Sequence, residues 1–286
     1  ASWVARACTS VLEQTVPVTH VLVSDGPRRT DLTGVANSVS VHLELPTPAS
    51  DSGATPRVIG GRWAVENGYD IVCYLDADDA LDPLYSSRVA EAITHADAEV
   101  IASPLIYADE ALSPVGHPAG GLRVTWAAAR NLAAAGSRPC FLYAGGLALT
   151  GRALRHVEDW LRIPIELARM HDQLVAWILF SGPYRISWLL EPSYLYRVTS
   201  VDLSERWGLT QKNGPGAEKK KRDTETATHW RDLGANGRRA LAAELGIDRS
   251  RVPSHETVMQ AINPVRYQDG IVLRQNDLSF AFVPFD

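Results

Sequence analysis

The stretch Ile71-Val72-Cys73-Tyr74-Leu75-Asp76-Ala77-Asp78-Asp79 decides how this chain is read. Its first five residues are an apolar run of strand length without polar alternation, the pattern of a central strand covered on both faces. The run then breaks into carboxylates. Several carboxylates at the end of a buried strand repel one another and need a cation or hydrogen-bond donors to compensate them. A divalent ion is the simplest compensation, because Mg2+ and Mn2+ take oxygen ligands and are commonly held by one or two carboxylates together with substrate phosphates. On this reading Asp76 and Asp78 serve a metal and a nucleotide diphosphate. The competing reading is capping of the next helix, whose early Pro83 fits a first turn; Asp79 and Asp82 suit that role too.

Working outward, strand and helix patterns alternate. Trp3 to Leu12 has helical apolar spacing. Pro17 interrupts it, and His20 to Ser24 is a short strand ending in the turn Asp25-Gly26-Pro27. Val39 to Leu45 is strand-like, and a polar stretch from Pro46 to Pro56 leads to a helix over Arg57 to Glu66 that Asn67-Gly68 ends. After the acidic run come a helix from Pro83 to Thr94 and a strand from Glu99 to Ile106. This is the alternation of a doubly wound, mostly parallel α/β sheet flanked by helices, in which ligands bind outside the carboxyl ends of the strands. Asp25 and the acidic run both stand at such ends.

Further along, Gly145-Gly146-Leu147-Ala148-Leu149-Thr150 precedes a helix carrying Glu158 and Asp159. A second helix runs from about His171 to Phe180, followed by a strand over Tyr184 to Leu189 and by Tyr194-Leu195-Tyr196-Arg197. The composition changes beyond Ser204, where Lys219-Lys220-Lys221-Arg222 opens a polar stretch and Asn236 to Leu245 is an amphipathic helix. Ile271 to Leu273 and Phe280 to Val283 read as a terminal hairpin. Residues 1–205 are therefore taken as one nucleotide-binding domain and 206–286 as a helical and hairpin extension.

The 286 residues are 45% hydrophobic with a formal net charge of -5, enough apolar content for a packed core and a poor match to a surface built to grip phosphate backbones. Nucleic acid is not the expected partner. Cys8, Cys73 and Cys140 lie far apart without metal-ligand spacing and read as buried thiols in a reducing compartment. No apolar run approaches membrane-spanning length and the start lacks the plan of a signal peptide, so a cytoplasmic location is expected.

Four segments in order carry a resemblance. Ser10-Val11-Leu12-Glu13-Gln14-Thr15, Val21-Leu22-Val23-Ser24-Asp25-Gly26-Pro27, Thr55-Pro56-Arg57, and Leu75-Asp76-Ala77-Asp78-Asp79 with Pro83 are similar, in sequence and spacing, to the first third of family-2 glycosyltransferases of the GT-A fold. The resemblance implies Asp25 at the nucleobase, Arg57 near base or phosphate, Asp76 near the ribose and Asp78 on the metal, Mn2+ or Mg2+. It implies a general base on a later helix, where Asp172 is preferred and Asp159 is the alternative; His171 stands where the family usually has glutamate. Tyr196-Arg197-Val198-Thr199-Ser200-Val201-Asp202-Leu203-Ser204 is similar to a "YRxHxxSxS" segment, which implies Arg197 at the diphosphate, although Thr199 replaces the common histidine. Family members open with a strand ahead of the first helix, and the sequence from Ala1 has no counterpart; that strand is expected upstream.

Each assignment has a plainer counterpart. Asp25 before glycine can shape a turn through its own backbone, Asp172 can cap a helix, and Arg197 can pair with a structural carboxylate. Arg57 at a helix start opposes the helix dipole, which favours an anionic partner. Trp160, Trp177, Trp188 and Trp207 are read as core rather than as a sugar platform. The expected activity is a metal-dependent, inverting transfer of a sugar from a nucleotide-diphosphate donor to an acceptor hydroxyl on a saccharide, protein or other molecule. The alternatives are a non-catalytic GT-A-like binding module and a sugar nucleotidyltransferase. The extension could form a homo-oligomer contact, and its lysine run is read first as a solvated face.

Overall fold

A computed structural model describes residues 2–27, 33–103, 105–114, 124–125, 142–189, 191–197, 228–252, 270–274 and 280–284. In chain order the elements are α1 (Ser2–Leu12), β1 (Val21–Ser24), α2 (Thr33–Ala36), β2 (Val41–Glu44), α3 (Ala54–Glu66), β3 (Ile71–Cys73), β4 (Ala80–Leu81), α4 (Tyr85–Ala96), β5 (Val100–Ala102), β6 (Leu105–Ala108) and β7 (Val124–Thr125). There follow β8 (Leu147–Thr150), α5 (Gly151–Arg155), 3-10 turns over Val157–Arg162 and Ile165–Met170, α6 (His171–Ser181), β9 (Ile186–Trp188), β10 (Tyr194–Arg197), α7 (Gly234–Glu244), β11 (Gly270–Arg274) and β12 (Phe280–Pro284).

The chain is a mixed α/β protein with helix-flanked sheets, as the alternation of patterns requires. β1 and β2 form a parallel pair. A four-stranded sheet has the order β3-β8-β5-β9, and a second has the order β4-β10-β6-β7. In the first, β8 runs antiparallel to both β3 and β5 while β9 is parallel to β5, so β3, β5 and β9 share one direction. β11 and β12 are the expected antiparallel hairpin.

Local signals explain the boundaries. Gly68 takes φ +79°, and after it Tyr69 N–H bonds to Ala64 O at 2.9 Å while Gly68 N–H bonds to Val65 O at 3.1 Å. That pair of bonds is a Schellman stop, which needs a residue free to adopt the left-handed conformation. The single strand expected over Glu99 to Ile106 is instead two, β5 and β6, in different sheets. Ser103-Pro104 stands at the break, and the strand expected from the sequence runs across it although a proline cannot donate to a sheet ladder. The helix expected around Glu158 and Asp159 is a 3-10 turn after the short α5.

The main core gathers Val58, Tyr74, Val100, Leu147, Leu149 and Trp160 under the first sheet. A second core joins Leu174 and Trp177 of α6 to Trp230, Leu241 and Leu245, with the Trp177 and Trp230 rings 5.7 Å apart. Trp160 and Trp177 are thus core, and Trp188 stacks on Phe180. The proposed boundary near 205, the Lys219–Arg222 run, Trp207, Thr199 and Cys140 lie outside the described residues. Among the described residues no helix is long and apolar enough to cross a membrane.

Candidate functional site

The acidic turn that follows β3 lies where the two four-stranded sheets meet, because β3 belongs to one and β4 to the other. Asp79 N–H closes the turn onto Asp76 O at 3.1 Å. The turn is held by two tyrosines and the end of β10. Tyr143 Oη donates to Asp76 Oδ2 at 2.7 Å and to Asp79 Oδ2 at 2.9 Å. Tyr194 Oη donates to Asp79 Oδ2 at 2.8 Å and accepts from Asp76 N–H at 3.1 Å. Arg197 N–H donates to Asp79 Oδ1 at 2.8 Å.

Asp79 is 1% exposed. Burial, reinforced by the neighbouring Asp76 and Asp78 charges, pushes its carboxyl up to about 8, against the pull of the Arg197 N–H and Tyr194 Oη bonds. It is therefore an internal tie and not a helix cap. The capping reading does describe Asp82, whose Oδ1 accepts from Leu84 N–H at 2.9 Å just before α4.

Each remaining carboxylate of the turn has an arginine. Arg57 Nη2 lies 2.5 Å from Asp76 Oδ1, and its Nη1 donates to Ser52 O at 3.0 Å. Burial alone would lower the Arg57 pKa, but the charges of Asp76 and Asp172 raise it above the ordinary arginine value. Arg57 thus sits within the field of both carboxylates. Arg197 Nη2 donates to Asp78 Oδ2 at 2.6 Å and its Nε to Asp78 O at 3.1 Å. The Arg197 side chain is 8% exposed, Nη1 has no hydrogen-bond partner among the described residues, and the guanidinium stacks 4.0 Å from the Trp3 ring centroid. The pairing of Arg197 with a carboxylate, raised from the sequence as the plainer reading, is present, and the carboxylate belongs to this site.

Asp25, at the end of β1, accepts from Ala49 N–H at 2.6 Å and Ser50 N–H at 3.1 Å. It therefore organises the loop between β2 and α3, where Ser50 and Ser52 take left-handed φ values of 56° and 59°. Non-glycine residues hold that conformation only when their surroundings impose it. One cavity of about 870 Å³ is lined by Asp25, Ser52, Gly53, Arg57, Asp76 and Asp78 at its polar end, so the structure brings together four of the residues singled out from the sequence.

Asp172 lies in the first turn of α6 and is partly exposed. His171 beside it points inward, buried with its ring 6.1 Å from that of Trp160. The alternative pair is engaged elsewhere: Glu158 bonds Arg62 at 3.1 Å and Asp159 lies 3.8 Å from Arg162, all on the surface.

For a divalent ion, the two aspartates differ. Asp76 has one oxygen on Arg57 and the other on Tyr143, whereas Asp78 is 49% exposed with only Oδ2 engaged. Among the described residues no group of three or more His, Cys, Asp or Glu side chains could hold a metal. One open carboxylate fits Mg2+ or Mn2+ when phosphate oxygens complete the shell, and does not fit a closed protein cage.

Sequence reasoning missed Tyr143, Tyr194 and Gly145. A Cβ on Gly145 would stand 2.6 Å from Tyr194 Oη, 2.7 Å from Tyr143 Cε1 and 3.0 Å from Asp76 Cγ. Its only sequence signal was the Gly145-Gly146 pair ahead of a strand, which marks close backbone approach.

Comparison with known proteins adds the following. No family model matches the sequence, and no curated protein matches it. Among solved structures, the chain is similar to S. aureus TarS, with 19% identity and a TM-score of 0.46, covering 82% of this chain and 41% of that one. It is similar to TarS 1-349 in complex with UDP, with 16% identity and a TM-score of 0.45 over 87% of this chain and 72% of that one. For TarS 1-349 in complex with UDP-GlcNAc the values are 15% and 0.42, over 93% and 74%. The chain thus spans about two-fifths of the longer TarS chain.

Proposed function

We propose that this protein is a glycosyltransferase that takes its sugar from a nucleoside-diphosphate donor and passes it to an acceptor hydroxyl with inversion. The observation that carries the reading is the convergence of Asp25, Arg57, Asp76 and Asp78 on one cavity end, with Asp172 close enough to act on the Arg57 charge. This cavity end lies at the carboxyl ends of β1 and β3, where open α/β sheets bind nucleotides. The ordered resemblance of the first third of the sequence supports the same assignment.

In this reading the strained loop held by Asp25 receives the base, while Arg57 and Asp76 form a fixed pair beside the ribose and phosphates. Asp78 would hold the metal with Asp76 behind it; when bound, the ion offsets the charge that develops on the departing diphosphate. Arg197 releases Asp78 and turns its unpaired Nη1 and its charge toward the same phosphates. Asp172 accepts the proton of the acceptor hydroxyl as its oxygen bonds to the anomeric carbon. The carbon–oxygen bond to the diphosphate breaks on the opposite face, and the nucleoside diphosphate leaves with the electron pair.

The test is thermal stability against UDP-, GDP-, TDP- and CDP-sugars with and without Mn2+, since a ligand of the native state raises the apparent Tm by mass action. A Mn2+-dependent rise with one nucleotide class that Asp78→Ala abolishes is the expected result. If no donor raises Tm under either condition, the reading is wrong.

A further inference from the structure

The two arginine–aspartate pairs of the site are not held alike. Arg57 is fastened on both sides: Nη2 lies 2.5 Å from Asp76 Oδ1, Nη1 donates to Ser52 O at 3.0 Å, and the second oxygen of Asp76 accepts from Tyr143 Oη at 2.7 Å. Arg197 is fastened on one side only. Its Nη2 and Nε reach Asp78 Oδ2 and Asp78 O at 2.6 Å and 3.1 Å, but Nη1 has no hydrogen-bond partner among the described residues, and the side chain is 8% exposed. A guanidinium N–H shut from water without an acceptor is costly, so this position satisfies Arg197 incompletely. Asp78 keeps one oxygen open, with 49% of its side chain exposed.

What pins Arg197 also defines the part that can move. Its main chain ends β10, where the N–H donates to Asp79 Oδ1 at 2.8 Å and the residue pairs with Ala108 of β6. Beyond Asp78, the side chain is held by the face of Trp3, whose ring centroid lies 4.0 Å from the guanidinium carbon and which is itself 43% exposed. A cation stacked on an exposed ring is held weakly. The side chain can therefore leave without any strand moving.

An ion approaching Asp78 meets a positive charge already 2.6 Å from the carboxylate. The two carboxylates of Asp76 and Asp78 are matched by the two guanidiniums of Arg57 and Arg197. Together these four groups offer a bare divalent cation no net attraction, while the Arg197 charge repels it at close range. A diphosphate changes both effects. It offers the planar fork of Arg197 a pair of oxygens, Nη1 included, and once Arg197 turns to them both oxygens of Asp78 are open to the ion.

We propose that Arg197 is an internal counter-cation that closes Asp78 to a bare divalent ion and yields it to one that arrives with a nucleoside diphosphate, with Trp3 as the ring on which it is parked. The yielding step rests on the donor reading above, and the block rests on the ion pair alone. A site built this way fixes an order of loading, in which the metal accompanies or follows the nucleotide and does not precede it.

The experiment follows free Mn2+ by its paramagnetic resonance signal as the full chain is titrated, first without nucleotide. Arg197→Met keeps the length of the side chain and the main-chain bond to Asp79 and removes the charge. It is expected to bind bare Mn2+ about tenfold more tightly than the parent chain, and adding Asp78→Ala to it should abolish the gain. Trp3→Leu, which takes away only the stack, should give a gain of about threefold. A residue that merely braced the site would lower Mn2+ affinity when removed, so the direction of the change separates the two roles. Equal or weaker binding by Arg197→Met overturns the proposal, as does a gain that survives Asp78→Ala. Should Arg197→Met fail to fold, the parent is compared with Asp78→Ala: equally weak binding of bare Mn2+ supports the block, and clearly tighter binding by the parent refutes it. The titration is then repeated with UDP, GDP, TDP or CDP, subtracting the Mn2+ that the nucleotide takes up by itself. A rise in Mn2+ binding with one of them that is larger in the parent than in Arg197→Met is the expected result. A rise of equal size in both overturns the yielding step, and no rise with any of the four sinks the donor reading while the bare-ion result on the block stands.

Discussion

Two buried carboxylates at opposite ends of one sheet show how this fold divides its labour. Glu99 stands at the amino end of β5 and is 6% exposed, while Asp79 follows the carboxyl end of β3 and is 1% exposed. Both are covered, Asp79 the more deeply, and their ionisation is opposite. Glu99 is held down to about 2, first by the side-chain bonds from Arg152 and then, against the cost of burial, by the backbone N–H groups of Arg152 and Arg185. Asp79 is pushed up to about 8 first by burial and then by the charges of Asp76 and Asp78, whose arginines are spent on them. At the amino end the chain supplies cations until the charge is neutralised. At the carboxyl end it concentrates more carboxylates than it neutralises, an arrangement that costs stability and is kept where a ligand brings positive charge or donors.

The comparison breaks if substitutions at the two ends behave alike. The largest effect is expected from Asp172→Asn, which keeps shape and removes the proposed base: sugar transfer should fall ~1000-fold with Tm nearly unchanged, as read by donor turnover and melting curves. An equal loss of activity and stability would make Asp172 a structural cap. Next is Asp79→Ala, which leaves the Tyr194 hydroxyl and the Arg197 N–H without their acceptor and should cost about 3 kcal/mol in urea unfolding. Asp79→Asn at pH 6, where the native carboxyl is already neutral, should cost about 1 kcal/mol or less; a large cost there would mean that Asp79 is ionised.

Gly145→Ala should cost about 2 kcal/mol, because its Cβ meets two rings and Asp76 with no room to relax, and should weaken donor binding by displacing Asp76. Unchanged binding would separate the tyrosine clamp from the donor site. The smallest effect on donor binding belongs to the amino end. Glu99→Gln should cost about 2 kcal/mol at pH 7, discounted because Arg152 and Arg185 are partly solvated, with no change in donor affinity. The sign of its pH dependence is fixed by a lowered folded pKa: the Glu99 contribution is fully present above about 4.5 and is lost as pH falls toward about 2. Melting curves of Glu99→Gln and the parent chain should therefore converge on acidification.

Much of the local structure is legible in the amino-acid sequence. Helix α1, strands β1 and β2, the Asn67-Gly68 stop of α3 and the terminal hairpin follow from local patterns, because periodicity and turn chemistry act over a few residues. The acidic turn and Arg57 were singled out as a candidate site by residue type and order, and the structure places them on one cavity. The amino-acid sequence by itself determined which groups are chemically costly: three carboxylates after an apolar strand, an arginine at a helix start, a glycine pair before a strand; that strand was expected to be central and covered on both faces, whereas among the described residues β3 ends its sheet and is only half-buried. Only the tertiary structure decided how each cost is met, since Tyr143, Tyr194 and Arg197 reach the turn from 64 to 119 residues away and their contacts leave no local pattern. The same holds for which sheet β5 and β6 each join, which is set only once strands have chosen partners.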